Sequence, residues 1–308
     1  MAQKKKTVKK RKPTRKSVIK KGLSFVFVIM LLIAGYFAAN KVIKNDNNQN
    51  YELPGGVAQF HFIDVGQGDA ELIMVGDKNI LIDTGDRGGK DALVKYLKDH
   101  NVTEIEYFIV THPDADHFAS AAYVLDNYTV KNVIMSNAEK TTQMFETFIA
   151  TLEKHTEINV INAHDEIGTK YDVNGLELKI LAPLSESYTD TNDYSVVVMA
   201  RYGNKKFLLT GDAEKKSEAE MVEIYSASDL KCDVLKVGHH GSRTSTSDAF
   251  LRMANPTYAV ISCGKDNKFD HPHTETLNRL NDAGITIYRT DELGSIVLET
   301  DGDKITKK

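Results

Sequence analysis

Four side chains that can bind a divalent metal fall within residues 111–117. This run reads Thr-His-Pro-Asp-Ala-Asp-His, and its potential ligands are His112, Asp114, Asp116 and His117. Imidazole nitrogens and carboxylate oxygens are the atoms that proteins offer to zinc, manganese and related metals. Two histidines and two aspartates packed around a proline therefore indicate a metal site rather than an ordinary polar turn. The chemistry expected of such a site is hydrolysis by metal-activated water.

The elements around this run place it between a predicted strand, 107–110, and a predicted helix, 118–125. A loop of this kind lets side chains converge while a rigid scaffold holds its ends. Ligands in sheet proteins gather where strands end, so other polar residues at strand ends are expected to meet the same point. Three further segments qualify: 62–69 with Asp64 and Asp69, 208–212 with Asp212, and 237–242 with His239 and His240.

The first 56 residues differ in composition from the rest. Residues 1–21 carry eleven Lys and Arg and no acid, and residues 22–39 form an uncharged, mostly apolar run. As a helix this run would be about 27 Å long, enough to span the hydrocarbon core of a bilayer. The basic tail predicts a cytoplasmic N-terminus, a single-pass cell-membrane anchor and an extracellular C-terminal domain. Residues 40–56 are predicted to be a flexible linker.

A cleaved signal peptide is the alternative for this segment. The basic region is long for one, and Phe37 stands where a small residue is expected before a cut after Ala39. From residue 45 onward, 26 Lys and Arg stand against 43 Asp and Glu, a net charge of about −17. Nucleic-acid binders normally present a basic surface, so this composition argues mildly against tight DNA binding.

Predicted strands and helices alternate through the remaining domain, 57–308. Two mixed halves, each with acids or histidines at strand ends, predict two sheets packed face to face with helices outside. The strands nearest the C-terminus, 285–288 and 295–299, are predicted to form a closing hairpin. Cys232 and Cys263 are predicted to lie at opposite ends of neighbouring parallel strands and to stay unbridged. The other main predicted elements are strands 59–65, 70–75, 79–83, 130–135, 159–162, 170–173, 176–181, 195–201 and 206–210, and helices 91–100 and 141–154.

The order of five motifs resembles the metallo-β-lactamase superfamily. They are Asp-Val-Gly-Gln-Gly-Asp at 64–69, Ile-Asp-Thr-Gly at 82–85, His-Pro-Asp-Ala-Asp-His at 112–117, Thr-Gly-Asp at 210–212 and His-His-Gly-Ser at 239–242. Within it, residues 57–300 are most similar to the extracytoplasmic hydrolase domain of ComEC-type competence DNA-uptake proteins. The resemblance implies an α/β (α+β) fold, the αββα sandwich, with a dinuclear metal site between the sheets. The multi-span channel of those proteins has no counterpart in this sequence, so the resemblance extends to hydrolysis and not to transport.

The resemblance also implies which residues hold the metals. His112 and Asp114 are expected at the first metal, Asp116 and His117 at the second, and Asp212 between the two. Many members of the superfamily have a histidine where this chain has Asp114. The additional carboxylate makes the site richer in oxygen, which shifts the expected preference from Zn²⁺ toward Mn²⁺ or Mg²⁺.

Two positions of the family pattern stay open. One histidine of the pair 239–240 would complete the second site, and His239 is preferred. The usual histidine before the strand of the bridging aspartate is missing, because residues 191–195 read Thr-Asn-Asp-Tyr-Ser. Either Asn192 or Asp193 would substitute for it, or the first metal would be weakly held.

The remaining predicted roles concern catalysis and support. Asp64 is expected behind the ligands, where it would orient one of them. The leaving oxygen needs a proton or a positive neighbour, which the histidines near the site would supply. The alternative for residues 271–273 is the start of a helix, in which proline suits the first turn. The predicted catalytic residues are Asp116, His240, His271 and His273.

The function predicted from these features is a membrane-anchored, outward-facing phosphodiesterase or nuclease that uses two divalent ions, Mn²⁺ or Zn²⁺, with Mg²⁺ as a third option. DNA is the substrate favoured by the resemblance, with competence or envelope proteins as partners. A cell-envelope phosphodiesterase acting on choline-phosphate or teichoic-acid esters is the first alternative. A lactam, lactone or thioester hydrolase is the second. A non-catalytic, metal-stabilised binding module is the third, which the incomplete first site keeps open.

Overall fold

The computed structural model of the protein describes residues 56–308. The predicted basic tail, the predicted membrane anchor and all but the last residue of the predicted linker lie outside the described residues. Within residues 56–308, no helix is both long enough and apolar enough to cross a bilayer.

Two mixed sheets form the centre of the fold. The first sheet has eight strands in the order β15-β14-β1-β2-β3-β4-β5-β6, and the second has seven in the order β13-β12-β11-β10-β9-β8-β7. The strands of the first sheet are β1 Ala58–Phe62, β2 Glu71–Val75, β3 Lys78–Ile82, β4 Glu104–Val110, β5 Thr129–Met135, β6 Asn159–Asn162, β14 Ile296–Thr300 and β15 Ile305–Lys307. Those of the second are β7 Lys170–Val173, β8 Leu176–Ala182, β9 Val197–Tyr202, β10 Lys205–Leu209, β11 Val234–Lys236, β12 Tyr258–Ile261 and β13 Thr286–Arg289.

The helices lie on the outer faces of the sheets. They are α1 Lys90–Asp99, α2 Ala115–Phe118, α3 Ala121–Asn127, α4 Gln143–Lys154, α5 Lys215–Ile224, α6 Ala227–Leu230, α7 Asp248–Ala254, α8 Thr274–Asp282 and α9 Thr290–Leu293. Leu93 of α1 and Phe148 of α4 share a core with Phe108 of the first sheet. On the other side, Phe250 of α7 packs in one core with Leu235 of the second sheet. The predicted αββα arrangement is therefore confirmed.

The two sheets meet through a third core made of their inward-facing side chains. Because successive residues of a strand point to opposite faces, Phe60 of β1 and Phe207 of β10 turn inward while their neighbours turn outward. The two rings stack at 3.6 Å between centroids, with 4° between their planes. Both are at most 2% exposed. This dry contact fixes the spacing of the sheets whose ends carry the candidate site.

The predicted closing hairpin is wrong. Strand β13 pairs in parallel with β12 in the second sheet, whereas β14 pairs antiparallel with β1 in the first. The short helix α9 carries the chain from one sheet to the other. Ile296 and Leu298 join the core between the sheets, and burying them there explains why β14 completes the first sheet instead of turning back on β13.

The predicted helix 118–125 is two short helices, α2 and α3. The chain leaves the helical path because the backbone at the break bonds to the loop after β3. The Ala119 amide donates to the Gly85 carbonyl at 3.2 Å, and the Ser120 amide donates to the Thr84 hydroxyl at 3.1 Å. The metal-ligand run is thereby tied to the end of a neighbouring strand, which sequence periodicity does not reveal.

The prediction for the cysteines is confirmed. Strands β11 and β12 are parallel neighbours, and both Cys232 and Cys263 are free and buried. Burial raises the pKa of the Cys263 thiol to about 12, with the Asp291 carboxylate adding to the effect. Burial also raises the pKa of the Cys232 thiol, so neither thiol is a nucleophile at neutral pH.

Replacing Phe207 with alanine should remove the stacked contact between the sheets and leave a cavity. We expect the free energy of unfolding of the full-length chain to fall by about 3–5 kcal/mol, measured by chemical denaturation. Leu293→Ala, at a side chain that is 50% exposed, is the control and should change it by less than about 0.5 kcal/mol. Equal effects of the two substitutions would contradict the packing described.

Candidate metal centre

Four chain segments that lie far apart in the sequence meet where the central strands of both sheets end. Residues 111–117 follow β4 of the first sheet, and residues 210–212 and 237–241 follow β10 and β11 of the second. Asp69 comes from the loop between β1 and β2. One ligand atom from each of Asp69, His117, Asp212 and His240 lies within 4.8 Å of the others, and all four residues are buried.

His117 is oriented by a carboxylate behind it. Its Nδ1 donates to Oδ2 of Asp83 at 2.7 Å, and its Nε2 lies 3.2 Å from Oδ2 of Asp212. Burial would lower the pKa of His117, but the charges of Asp212 and Asp83 outweigh burial and raise it well above 6.5. A carboxylate that fixes one ring nitrogen so that the other faces the site is the usual support of a metal-binding histidine. Asp83 itself accepts from both the amide and the hydroxyl of Thr111.

His240 is held in the same manner from the second sheet. Its Nδ1 donates to the Ser262 carbonyl at 3.0 Å and lies 3.4 Å from Oδ1 of Asp69. Its Nε2 is buried without a hydrogen bond and lies 3.4 Å from Oδ2 of Asp116 and 3.5 Å from Oδ2 of Asp212. The two acids and this nitrogen therefore face one common point.

The backbone at the histidine pair explains which ring turns inward. His239 and His240 both have positive φ, 50° and 53°, a conformation that is costly for residues other than glycine. This tight turn buries His240 and leaves the side chain of His239 23% exposed at the rim. The sequence analysis preferred His239 as the ligand, whereas in the structure the ring that turns into the buried cluster is that of His240. The His239 ring lies at the rim, where its Nδ1 donates to Glu214 at 2.9 Å.

His112 lies beside His117, with 4.2 Å between the ring centroids. Its Nδ1 is within 3.1 Å of the Thr111 hydroxyl and 3.3 Å of the Ser195 hydroxyl, and its Nε2 is buried without a hydrogen bond. Burial, together with the charge on His117, lowers the pKa of His112 to about 4. The ring is therefore neutral, which is the form that binds a metal.

Asp114 stands apart from the buried cluster. Its Oδ1 forms an ion pair with Nζ of Lys140 at 2.8 Å, and its side chain is about one-third exposed. Asp116 is also partly exposed, at 28%, but its carboxylate reaches His240. Burial would raise the pKa of Asp116, and the neighbouring His240 and His117 outweigh it and hold that pKa well below its usual range.

Residues 191–195, which lack the family histidine, support the site through hydrogen bonds. Asp193 accepts from the backbone amides of Glu214 and Ser217 at 3.2 and 3.0 Å, so it caps helix α5 instead of substituting for a ligand. The side-chain nitrogen of Asn192 lies 3.3 Å from Nδ1 of His239. Ser195 is the residue that reaches the centre, since its hydroxyl accepts from the Asp212 amide at 3.1 Å and contacts His112.

Asp69, and not Asp64, is the acid of the motif at 64–69 that contacts a histidine of the cluster. Asp64 is exposed and accepts from the Gly66 amide of its own turn, and no hydrogen bond or ion pair within residues 56–308 joins it to the cluster. Asp69 is buried and pairs with Nζ of Lys236 at 2.7 Å. Burial would raise the pKa of Asp69, but Lys236 and His240 outweigh it and lower it to about 2.

His271 and His273 follow at the rim of the site. The His271 ring lies 5.3 Å from the ring of His239, and its Nδ1 is buried without a hydrogen bond. Burial and the charges of His240 and His239 lower the pKa of His271 to about 4, so it holds no proton to give at neutral pH. His273 accepts from the Arg243 amide at 3.0 Å and immediately precedes α8, as the helix-start alternative predicts.

Three buried residues behind the ligands were not predicted from the sequence to belong to the site: Asp83, Glu71 and Lys236. Lys236 could have been predicted from the sequence, because it is a charged residue inside an apolar strand. Asp83 directly follows β3, has a positive φ of 56° and belongs to the Ile-Asp-Thr-Gly motif at 82–85. Burial and the nearby Asp69 raise the pKa of Glu71 well above 4.5, and Lys236 forms its ion pair with Asp69.

These residues satisfy the requirements of a divalent metal. Nε2 of His112, Nε2 of His240 and Oδ1 of Asp212 are buried without hydrogen bonds, a state that is costly unless a further partner is present. Imidazole nitrogens and carboxylate oxygens aimed at one buried point are the ligand set expected for zinc or manganese.

Comparisons with known proteins agree with this geometry. The model of the metallo-β-lactamase superfamily matches residues 63–265. ComE operon protein 3 of Bacillus subtilis is 30% identical over 80% of this chain and 33% of its own length. Recombination protein 2 of Haemophilus influenzae is 34% identical over 72% of this chain and 26% of its own length. The match thus spans only about a quarter to a third of these relatives.

Solved structures share the fold at low sequence identity. The metallo-β-lactamase fold protein YhfI from Bacillus subtilis aligns with a TM-score of 0.54 at 12% identity, over 79% of this chain and all of that one. CmlA, a diiron β-hydroxylase from Streptomyces venezuelae, aligns with a TM-score of 0.53 at 12% identity, over 79% of this chain and 54% of that one. With the family match and the buried histidine–aspartate cluster, these findings establish that the chain belongs to the metallo-β-lactamase superfamily and is related to competence proteins.

Proposed function

We propose that the chain is an outward-facing, metal-dependent phosphodiesterase that hydrolyses DNA, anchored to the membrane by residues 22–39. The observation that carries the proposal is the convergence of His117, His240 and Asp212 on one buried point, where polar atoms lack partners. The similarity to proteins named for competence and recombination supports nucleic acid as the substrate.

We expect two metal sites of unequal affinity. Asp116, His117, Asp212 and His240 would hold one ion, and His112 and Asp114 would share Asp212 in holding a second. Bound ions would supply Lewis acidity and a water of lowered pKa. In the first of these sets His117, Asp212 and His240 are buried, and hydrogen bonds hold both histidine rings in place. The second lacks the family histidine, and its Asp114 is already paired with Lys140, so it should bind more weakly.

The residues around the ligands do their work by orientation and proton transfer. Asp83 holds His117, and the Ser262 carbonyl holds His240, so that each ring presents Nε2 to the site. His239 stands at the rim with Nδ1 fixed by Glu214. We assign to its Nε2 the delivery of a proton to the leaving oxygen, because His271 is neutral and His273 is engaged with backbone.

A cleft beside Asp114 places one unpaired cation next to the candidate metal centre. The cleft has a volume of about 580 Å³, and its lining includes Arg87, Lys140, Asp86, Asp114, Phe118 and Met144. Lys140 is paired with Asp114. Arg87 is exposed, and no ion pair within residues 56–308 engages it. Arg87 therefore offers a cation for a phosphate group, and Phe118 and Met144 offer apolar surface for the groups attached to it.

A cell-envelope phosphodiesterase is the second candidate, favoured by one specific observation. From residue 45 onward the chain carries 43 acids against 26 Lys and Arg, which suits a small phosphodiester better than a long polyanion.

Replacing Asp212 with asparagine should remove the carboxylate shared by both ions while keeping its size. We expect Mn²⁺-dependent cleavage of plasmid and single-stranded DNA by the full-length chain to fall at least about 100-fold, and chelation of metal from the unmodified protein to do the same. Asp282→Asn, at an exposed acid near the end of α8, is the matched control. DNA cleavage that survives Asp212→Asn would contradict the proposal.

The two candidate functions separate on a substrate panel. The unmodified full-length chain is expected to cleave DNA and bis-p-nitrophenyl phosphate, and Asp212→Asn should abolish both activities. Turnover of bis-p-nitrophenyl phosphate and of choline-phosphate esters with none of DNA would move the assignment to the envelope enzyme. Metal binding without turnover of any ester would leave only a binding module.

Substitutions of His239 and His240 should have different effects, because the first is assigned to proton delivery and the second to metal binding. His240→Gln is expected to weaken binding of the tighter metal equivalent about 10- to 100-fold, measured by calorimetric titration and elemental analysis. His239→Gln should keep the metal content and slow turnover instead. The unmodified chain should bind two equivalents of unequal affinity. Loss of metal in His239→Gln with retention in His240→Gln would reverse the two assignments.

A further inference from the structure

Phe269 is the single exposed aromatic side chain among residues 56–308. Its ring is 45% exposed, although it is a residue that normally lies inside proteins. It belongs to the loop 264–270, between β12 and α8, which forms part of the rim of the candidate metal centre. A single exposed apolar side chain is common on protein surfaces, so the significance of this ring rests on its position beside the site and on the contacts that hold it.

The loop holds this ring in place instead of leaving it loose. The side-chain oxygen of Asn267 accepts from the amides of Phe269 and His271, both at 3.1 Å. Its side-chain nitrogen donates to the carbonyls of Gly264 at 2.9 Å and His271 at 2.5 Å. The Gly264 amide in turn donates to the side chain of Gln67, which belongs to the Asp64–Asp69 motif. One asparagine thus organises the whole turn, and the exposure of Phe269 is built into it.

A row of rings links Phe269 to the metal-facing histidine. The Phe269 ring stacks on His271 at 5.6 Å between centroids, with 23° between the planes. The His271 ring lies 6.0 Å from that of His240, whose Nε2 faces Asp212. Phe269 therefore stands one ring beyond the residues that border the reacting phosphate in the proposed function.

The chemistry of the loop selects the kind of group that Phe269 would take. Lys265 and Lys268 are balanced by Asp266 and Asp270, so the loop offers stacking rather than net charge. Nζ of Lys268 lies 4.8 Å from the centre of the ring, which disfavours a quaternary ammonium such as choline at that face. Lys268 is exposed, so it is free to exchange this weak contact for a phosphate oxygen.

We propose that Phe269, presented by Asn267 and backed by His271, is a stacking platform for an unpaired nucleobase next to the scissile phosphodiester of single-stranded DNA. This inference rests on the proposed function and adds a binding subsite to it. Aromatic side chains bind bases of any sequence because every base has a π face. A base held there would fix the register of the strand across the site without reading its sequence.

The experiment compares Phe269→Ala with Phe269→Trp and Leu293→Ala in the full-length chain, on a single-stranded oligonucleotide with Mn²⁺. Phe269→Ala should raise KM about tenfold, equivalent to about 1.4 kcal/mol, while kcat changes less than about threefold. Phe269→Trp should preserve KM, and so should Leu293→Ala at another exposed apolar side chain. Because the Phe269 side chain is exposed, the Tm of Phe269→Ala should shift no more than the Tm of Leu293→Ala.

Oligonucleotides with one abasic residue separate stacking from a structural effect. An abasic residue at one position flanking the cut should raise the KM of the unmodified chain about tenfold, and Phe269→Ala should add nothing on that substrate. An unchanged KM for Phe269→Ala, or a loss of equal size on intact and abasic strands, would overturn the inference while cleavage by the unmodified chain leaves the proposed function standing. Failure of the unmodified chain to cleave DNA at all would overturn both.

Discussion

The buried charge of Asp212 is the constraint on which the rest of the site depends. Its side chain is 3% exposed, and three histidine nitrogens lie within 3.7 Å of it. Burial would raise the pKa of Asp212, yet the charges of His117 and His240 outweigh burial and lower it well below 3.8. A buried carboxylate needs positive charge around it. Without metal the histidines supply that charge as protons, and a bound cation would take over the same role.

The fold supplies this arrangement by bringing the ends of central strands from two sheets together. Strands β3 and β4 of the first sheet, and β10 and β11 of the second, are neighbours in parallel pairs. The C-terminal ends of each pair therefore lie side by side, and the cluster of Asp69, His117, Asp212 and His240 joins the two pairs. The inner core holds the sheets at a fixed distance, with Phe60 stacked on Phe207. Lys236 and Asp69 add a buried ion pair across the same gap.

Much of this was predictable from the sequence, because the signals are local. The run 111–117, the pair 239–240 and Asp212 each follow an apolar strand, and the structure brings all three together. The inward ring of the pair was not predictable, since it depends on two successive positive φ angles. The partnership of Asp114 with Lys140 and the capping role of Asp193 depend on contacts between distant segments. The placement of β14 in the first sheet reflects burial between sheets, which short-range patterns do not contain.

The most direct test is an anomalous-difference map from crystals of the full-length protein grown with Mn²⁺. The account predicts a strong peak within about 2.0–2.4 Å of Nε2 of His117, Nε2 of His240 and an oxygen of Asp212, with a weaker second peak beside His112. A map with no peak among these three side chains, or with manganese bound only elsewhere on the molecule, would contradict it.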